Sequence, residues 1–384
     1  MRLTLLSPYH AGSHRAWAEG YARASQHEVT LLTMPGRLWK WRMHGAAVTL
    51  GRRFLASGAT PDLILADDML DLATFLAITR RQTAATPIVL YMHENQLTYP
   101  LHPSAGQGPM RHNWGLRERQ YPLINWKSMW AADHILFNSA YHRQSWFEAL
   151  PRFLSHYQED NELDSISELE AKSRVLPVGI DLQRLAPPLA KSGDSRPLIL
   201  WNQRWEFDKN PARFFSALYS LQREGFDFRV AICGESGLRP PAEFVQAQEL
   251  LGERIIHFGF AEAAVYRELL WEADVVVSTA KHEFFGISML EAMYAHTFPI
   301  LPAALSYPEL LPEAYHGRCL YHSTAELMAH LRWALTNPAE AQQVARGLGE
   351  VAAVYDWQRL AGQYDELLGG LRIREATPPT LTND

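Results

Sequence analysis

Short, unbroken apolar runs recur along this chain with helix-like stretches between them, and that alternation limits the fold more than any other feature. Arg2–Leu6, Val29–Thr33, Leu63–Ala66, Ile88–Met92 and Ile135–Asn138 are continuous rather than alternating in hydrophobicity. Such runs are expected of parallel strands buried on both faces. Helical segments such as Arg15–Ser25 lie between them, which predicts an open α/β sheet.

The pattern then stops and restarts. Residues 155–173 are polar and acidic and read as a surface helix or insertion, and a short strand leads into Pro177-Val178-Gly179-Ile180-Asp181. Residues 186–197, with Pro187, Pro188, Gly193 and Pro197, read as a linker. Strands follow at Leu198–Asn202, Arg229–Cys233, Ile255–Gly259, Asp274–Ser278 and Phe298–Leu301, with a helix at Pro211–Glu224 and helical spacing from Val344 to Leu367. The reading is two Rossmann-like α/β domains: residues 1–185, then residues 186–375 with closing helices, and a disordered tail at 376–384. The carboxyl ends of two such sheets face each other across a cleft, where ligands bind. The chain, 384 residues and 47% hydrophobic, is long and apolar enough for two cores. Its two cysteines, Cys233 and Cys319, cannot build a disulfide framework or a Cys-rich zinc site, which favours a reducing compartment. No run approaches the ~20 apolar residues of a membrane span, and the first residues are too short an apolar run for a signal peptide. A cytoplasmic chain with no stable membrane association is expected; its oligomeric state is not legible.

Three stretches carry chemistry. In Asp274–Ala295 a buried strand runs into a loop, Gly286 opens a turn, and a helix begins near Ile287. Free N–H groups at a helix start suit a phosphate, which makes Phe285, Gly286 and Ile287 donor-binding candidates. Glu283 precedes the turn and Glu291 follows eight residues later, so both carboxylates can point into one pocket and hold sugar or ribose hydroxyls. In Trp201–Pro211, Arg204 and Lys209 precede a helix whose first turn carries Pro211. A guanidinium fork and an ammonium suit a diphosphate leaving group that gains charge as its bond breaks. The simpler alternative is a surface salt bridge of Arg204 with Glu206 or Asp208. In the first domain, strand Ile88–Met92 ends in His93-Glu94-Asn95-Gln96. His93 is a candidate for bonding the sugar or orienting the acceptor, Glu94 an acceptor contact or base, and Asn95 and Gln96 further acceptor contacts. Gly12 and Ser13, in the Ala11–His14 turn after the first strand, form a weaker phosphate-facing candidate. Asp67-Asp68 could tempt a metal assignment, but fixed cations at Arg204 and Lys209 perform the same electrostatic task, so no metal or other cofactor is expected.

With these residues together, the chain resembles family 4 retaining glycosyltransferases of the GT-B fold over almost its whole length. Met92–Pro100, Arg204-Trp205-Glu206-Phe207-Asp208-Lys209 and Ser278–Gly286 resemble, more narrowly, the tRNA-queuosine mannosyltransferase group. The resemblance implies a GDP-mannose donor and the queuosine of an aspartate tRNA as acceptor. It implies that Arg204 and Lys209 hold the diphosphate, Glu283 the mannose, Glu291 the ribose, and His93 the sugar or acceptor; His93, Glu283, Arg204 and Lys209 would form the catalytic group. It also implies an enzyme working without a bound metal. The chain departs from the broad family at Ala11-Gly12, where a double glycine is usual, and at Ala303-Ala304-Leu305-Ser306, where a Gly-rich turn is usual.

The overall charge of −6 hides a split. Residues 1–150 hold 15 Lys and Arg against 10 Asp and Glu, and the remainder holds 21 against 32. The first half contains Arg37, Trp39, Lys40, Trp41 and Arg42 in one stretch. Cations interleaved with indoles suit RNA, meeting phosphates and stacking on unpaired bases. The alternative is an amphipathic helix that tucks its tryptophans into the core. Two other functions compete with tRNA glycosylation: transfer to a lipid-linked or envelope glycan, and a non-catalytic RNA-binding protein on the same scaffold.

Overall fold

The computed structural model describes residues 1–99, 120–187, 196–235 and 240–371. Most of the expected linker and the whole expected tail lie outside these residues. The first sheet comprises β1 (Arg2–His10), β2 (Glu28–Pro35), β3 (Leu63–Asp67), β4 (Ile88–Met92), β5 (His134–Phe137) and β6 (Ser173–Val175). Its order is β2-β1-β3-β4-β5-β6, parallel throughout. The second comprises β7 (Leu198–Asn202), β8 (Arg229–Cys233), β9 (Ile255–Gly259), β10 (Val275–Val277), β11 (Phe298–Pro302) and β12 (Leu320–Tyr321). Its order is β12-β11-β10-β7-β8-β9, again parallel. This is the α/β architecture expected of a GT-B chain.

The unbroken apolar runs are central strands: β3, β4, β7 and β8 are buried at every position. β1 runs on to His10, beyond the expected end at Ser7-Pro8, because the chain re-pairs with β2 at His10–Pro35 after a register shift. Pro8, which has no N–H to donate, sits inside that irregularity. In each sheet the connection order reverses beside the first strand, between β1 and β3 and between β7 and β10. Such switch points leave a crevice at the strands' carboxyl ends. Every candidate site stretch named in the sequence follows the carboxyl end of a strand, the Arg37–Arg42 stretch that of β2.

The last helix, Trp357–Gly370, was expected to close the second domain, but packs on the first. The Tyr364 hydroxyl lies 3.2 Å from Trp17 Nε1 and 2.7 Å from the Pro177 carbonyl, and Asp365 accepts from Tyr21, Ser25 and the Gln26 N–H. Trp357 lies so close to Gly20 and Gly179 that a Cβ at either would stand 2.0–2.4 Å from its indole. Just before the helix Tyr355 packs on Phe285 of the second domain at 5.5 Å, and Asp356 caps the helix and accepts from the Leu182 N–H of the first, so the chain clasps the two domains here.

Candidate active site

The second-domain side is built from two loops stapled together. After β7 the chain forms a tight turn at Phe207–Lys209, and Asn210 at φ 55° hands it to the helix Pro211–Arg223. Thr279 donates to the carbonyls of Lys209 and Asn210, and the Lys281 N–H to that of Asp208. Lys209 is buried there, donating to the His282 carbonyl at 2.8 Å and pairing with Asp208 and Glu283 at 3.3 Å each. Burial alone would raise the Glu283 carboxyl; Lys209 and the Phe285 N–H hold it below the ordinary carboxylate range. The Glu283 carboxylate also accepts from the Phe284 N–H.

Gly286 follows at φ 99°, and a Cβ there would meet Leu310 and Tyr307 at 3.1 and 3.3 Å. The turn therefore requires glycine, and the helix Ile287–Tyr294 starts directly after it, where the sequence places it. Phe285 is buried and contributes its backbone to Glu283. In the Ala303–Ser306 turn, Leu305 takes the left-handed φ of 62° usually left to glycine, and Ser306 is tied to the Phe285 carbonyl.

Glu291 is buried on the same helix but has its own partners: Arg184 at 3.1 Å and the Tyr266 hydroxyl at 2.9 Å, which in turn accepts from Asn202 at 3.1 Å. The two glutamates thus share no partner among the described residues. Burial keeps Glu291 raised despite Tyr266 and Arg184. Arg184 and Tyr266 were not singled out from the sequence, since neither lies in a recognisable motif. Arg204 does pair with Glu206 at 3.4 Å, as the simpler alternative held, but its side chain is 56% exposed. An ion pair in that setting is worth ~0–1 kcal/mol, so the guanidinium stays available to an anion.

On the first-domain side, Ala11 and Gly12 lead into the helix Gly12–Ala24, with Gly12 and Ser13 exposed at its start. His14, one residue on, is buried with Nδ1 2.7 Å from Asp67 Oδ2 at the end of β3. Burial would lower this imidazole, but Asp67, Asp68 and Glu94 together raise it to about 9. His93, at the end of β4, stacks among His14, Trp17 and Tyr91 at 4.5–4.7 Å between ring centres. Burial and the neighbouring His14 lower it to about 3. His93 Nε2 is buried with no hydrogen-bond partner. A ring nitrogen of His14, one of His93 and a carboxylate oxygen of Asp67 lie within 4.8 Å of one another, and the 2.7 Å contact between His14 and Asp67 is a hydrogen bond.

Glu94 joins the two sides. Its N–H donates to Asp68 at 3.0 Å, and burial raises its carboxyl against the pull of Arg204, His14 and Lys209. Asn95 corrects the expectation of an acceptor contact: it is fully buried, and its amide is spent on Ser145 and the Leu97 N–H. It shapes the loop instead. Gln96 is half-buried in the turn that follows. The cleft is closed beside these residues by Ser139, which donates to the Phe284 carbonyl at 2.6 Å, and by His142, stacked on Phe284 at 4.3 Å. A groove of about 500 Å³ runs alongside, between Leu97-Thr98 and the helix Ala140–Leu154, lined by Tyr141, Glu148 and Arg152 among others.

The Arg37–Arg42 stretch follows the carboxyl end of β2, where Gly36 lies against Ala11 of the turn after β1. Leu38 at φ 56° opens the helix Trp39–Ser57, which buries Met43, Ala46, Leu50 and Phe54. Trp41 is 61% exposed and Trp39 is 36% exposed, so neither indole is tucked into the core. Trp39 packs on Tyr121, Lys40 lies over Trp39 at 5.5 Å, and Arg42 donates to the Pro35 carbonyl. None of these contacts reaches Arg204, Lys209, Glu283 or Glu291.

Comparisons with known proteins agree with this geometry. A model described as the tRNA-queuosine alpha-mannosyltransferase N-terminal family matches residues 2–180, and the glycosyl transferases group 1 model matches residues 189–347. The chain is 32% identical over 321 residues to a tRNA-queuosine alpha-mannosyltransferase of Drosophila melanogaster, covering 81% of this chain and 82% of that one. It is 28% identical over 265 residues to a GDP-mannose:cellobiosyl-diphosphopolyprenol alpha-mannosyltransferase of Xanthomonas oryzae, covering 62% and 68%. Among solved structures, sucrose-phosphate synthase from Thermosynechococcus elongatus superposes with a TM-score of 0.71 at 16% identity over 96% of this chain and 98% of that one. Anabaena HepE in complex with UDP gives 0.68 at 15% over 97% and 100%. A hexosyltransferase fold with two facing switch points, and a relative of this identity and coverage, place the chain in the tRNA-queuosine alpha-mannosyltransferase family of GT-B glycosyltransferases.

Proposed function

We propose that this chain transfers mannose from GDP-mannose to the queuosine nucleoside of tRNA-Asp, with retention at the anomeric carbon and without a metal ion, in the cytoplasm. The observation that carries the reading is the pair of cations at the β7/β10 switch point, Lys209 against Glu283 and Arg204 beside Lys209, both acting on Glu94 of the first domain. Two fixed charges suit the diphosphate that departs as the C1–O bond breaks. Glu283, anchored by Lys209 and by two backbone N–H groups, is an acceptor for sugar hydroxyls. Glu291 would hold the ribose. The acceptor oxygen forms its bond to C1 on the face the diphosphate leaves, its proton passes to the departing phosphate oxygen, and GDP leaves with the electron pair.

The named activity of the Xanthomonas relative supports a GDP-mannose donor, and that of the Drosophila relative supports mannose transfer to the queuosine of tRNA. The exposed Trp41 with Arg37 and Lys40 supports an RNA contact on the first domain. Among the described residues no helix is long and apolar enough to cross a membrane. The test is mass spectrometry of tRNA nucleosides after incubation with the protein and GDP-mannose. A hexose-shifted queuosine is expected. Unshifted queuosine across several sugar nucleotides, with mannose appearing on a lipid-linked glycan instead, would overturn the acceptor assignment.

A further inference from the structure

Two buried groups at the first switch point, Asp67 and His93, have surroundings that the contacts described so far leave unexplained. Asp67 is fully buried, and both of its oxygens are engaged: Oδ2 with His14 at 2.7 Å and Oδ1 with the Met69 N–H at 2.8 Å. His93 leaves a buried Nε2 without a partner. A buried carboxylate is costly unless a cation and hydrogen bonds satisfy it, and an orphaned buried nitrogen calls for an explanation. β1, β3 and β4 are neighbours in the sheet, so the residues ending each of them meet in one place.

We propose that Asp67 is a positioning residue for the transfer: by holding His14 it fixes the ring stack that presents His93 Nε2 to the sugar in the cleft. The inference rests on the transfer reaction proposed above. Asp67 and His14 form an ion pair, because the imidazole is raised and the carboxyl lowered, each against its own burial. The resulting cation lies 4.5 Å from the His93 ring and, after burial, is the next cause keeping His93 neutral. A neutral imidazole whose Nε2 is free accepts from, or donates to, a hydroxyl; an imidazolium only donates. The bound sugar then satisfies the orphaned nitrogen. The groups facing His14 are Asp67 at the end of β3 and Asp68 just after it, His93 and Glu94 from the loop after β4, and the Tyr9 ring from β1. Those facing His93 are His14, Asp67 and His142, with the Trp17 and Tyr91 rings.

The test compares the full-length wild type with Asp67→Asn, which keeps an oxygen for the Met69 N–H, and with His14→Gln. Turnover of GDP-mannose with queuosine-containing tRNA is followed from pH 6 to 10, and imidazole nitrogen signals are followed by NMR on the free protein. His14 acts as a cation, so wild-type kcat should hold below pH 9 and fall as pH rises through about 9. Asp67→Asn should lower kcat by ~10²-fold, change KM for tRNA by less than about threefold, and move the basic limb to lower pH. His14→Gln should lack that limb. Wild-type kcat in Asp67→Asn, or a reduced kcat with the limb unmoved, would refute positioning. So would a His14 signal that is neutral at pH 7. If the wild type leaves tRNA unmodified, the acceptor reading fails, while the NMR signals still decide whether Asp67 holds His14 charged and His93 neutral.

Discussion

Replacing Lys209 with Met removes one charge while keeping the bulk of the side chain, and the structure gives separate expectations for rate and stability. The ammonium lies 3.3 Å from both Asp208 and Glu283 and is 6% exposed. Losing one charge that stabilises the departing diphosphate should cost about 3 kcal/mol in the barrier, or ~10²-fold in kcat. Breaking a buried pair on one side leaves its partner uncompensated, which costs about 3–5 kcal/mol of stability. The pH dependence separates these terms. Glu283 is held below its ordinary range in the folded chain, so its contribution is present above the unfolded carboxylate pKa and lost as pH falls through the folded one. Without Lys209, burial dominates and Glu283 is raised instead. The variant's stability deficit should then be largest near pH 7 and narrow as pH falls toward ~4. Arg204→Ala is the control: its side chain is 56% exposed, so stability should shift by less than about 1 kcal/mol while kcat falls by a similar factor. Urea unfolding at several pH values, with steady-state transfer to tRNA, measures both. Turnover near wild type in Lys209→Met would refute the diphosphate assignment, and a deficit independent of pH would refute the account of Glu283.

Changing Arg37, Lys40 and Arg42 together to Gln should weaken tRNA binding and flatten its salt dependence, leaving GDP-mannose binding unchanged; filter binding across a salt series reads both. Trp41→Ala should cost ~1–3 kcal/mol of RNA affinity if the indole stacks on a base. Because Trp41 is 61% exposed, its unfolding midpoint should move little. Gly179→Ala places a Cβ 2.4 Å from the Trp357 ring, so the clasp must shift, and a loss of ~1–3 kcal/mol in denaturant unfolding is expected.

How much of this was legible follows from the range of each interaction. Central parallel strands bury both faces, so their signal is local, and Ile88–Met92, Leu198–Asn202 and Arg229–Cys233 fall at the boundaries their apolar runs mark. The loop candidates were legible because each follows such a strand directly, and a strand end at a switch point is where a crevice forms. Partnerships between loops were not legible, since they depend on which strands become neighbours. Nothing in Ala11-Gly12-Ser13-His14 shows that His14 will meet Asp67, 53 residues away; the β2-β1-β3 order brings them together. The same order explains why Asp67-Asp68 could be weighed for a metal yet not recognised as half of an ion pair. Asn95 failed for the converse reason. Its polar type suggested a contact with the acceptor, but a buried amide must spend its donors and acceptor internally, and Ser145 and the Leu97 N–H take them. The last helix shows the limit most plainly: helical spacing gave its existence, while its docking on the first domain depends on two glycines, at 20 and 179, that make room for one tryptophan.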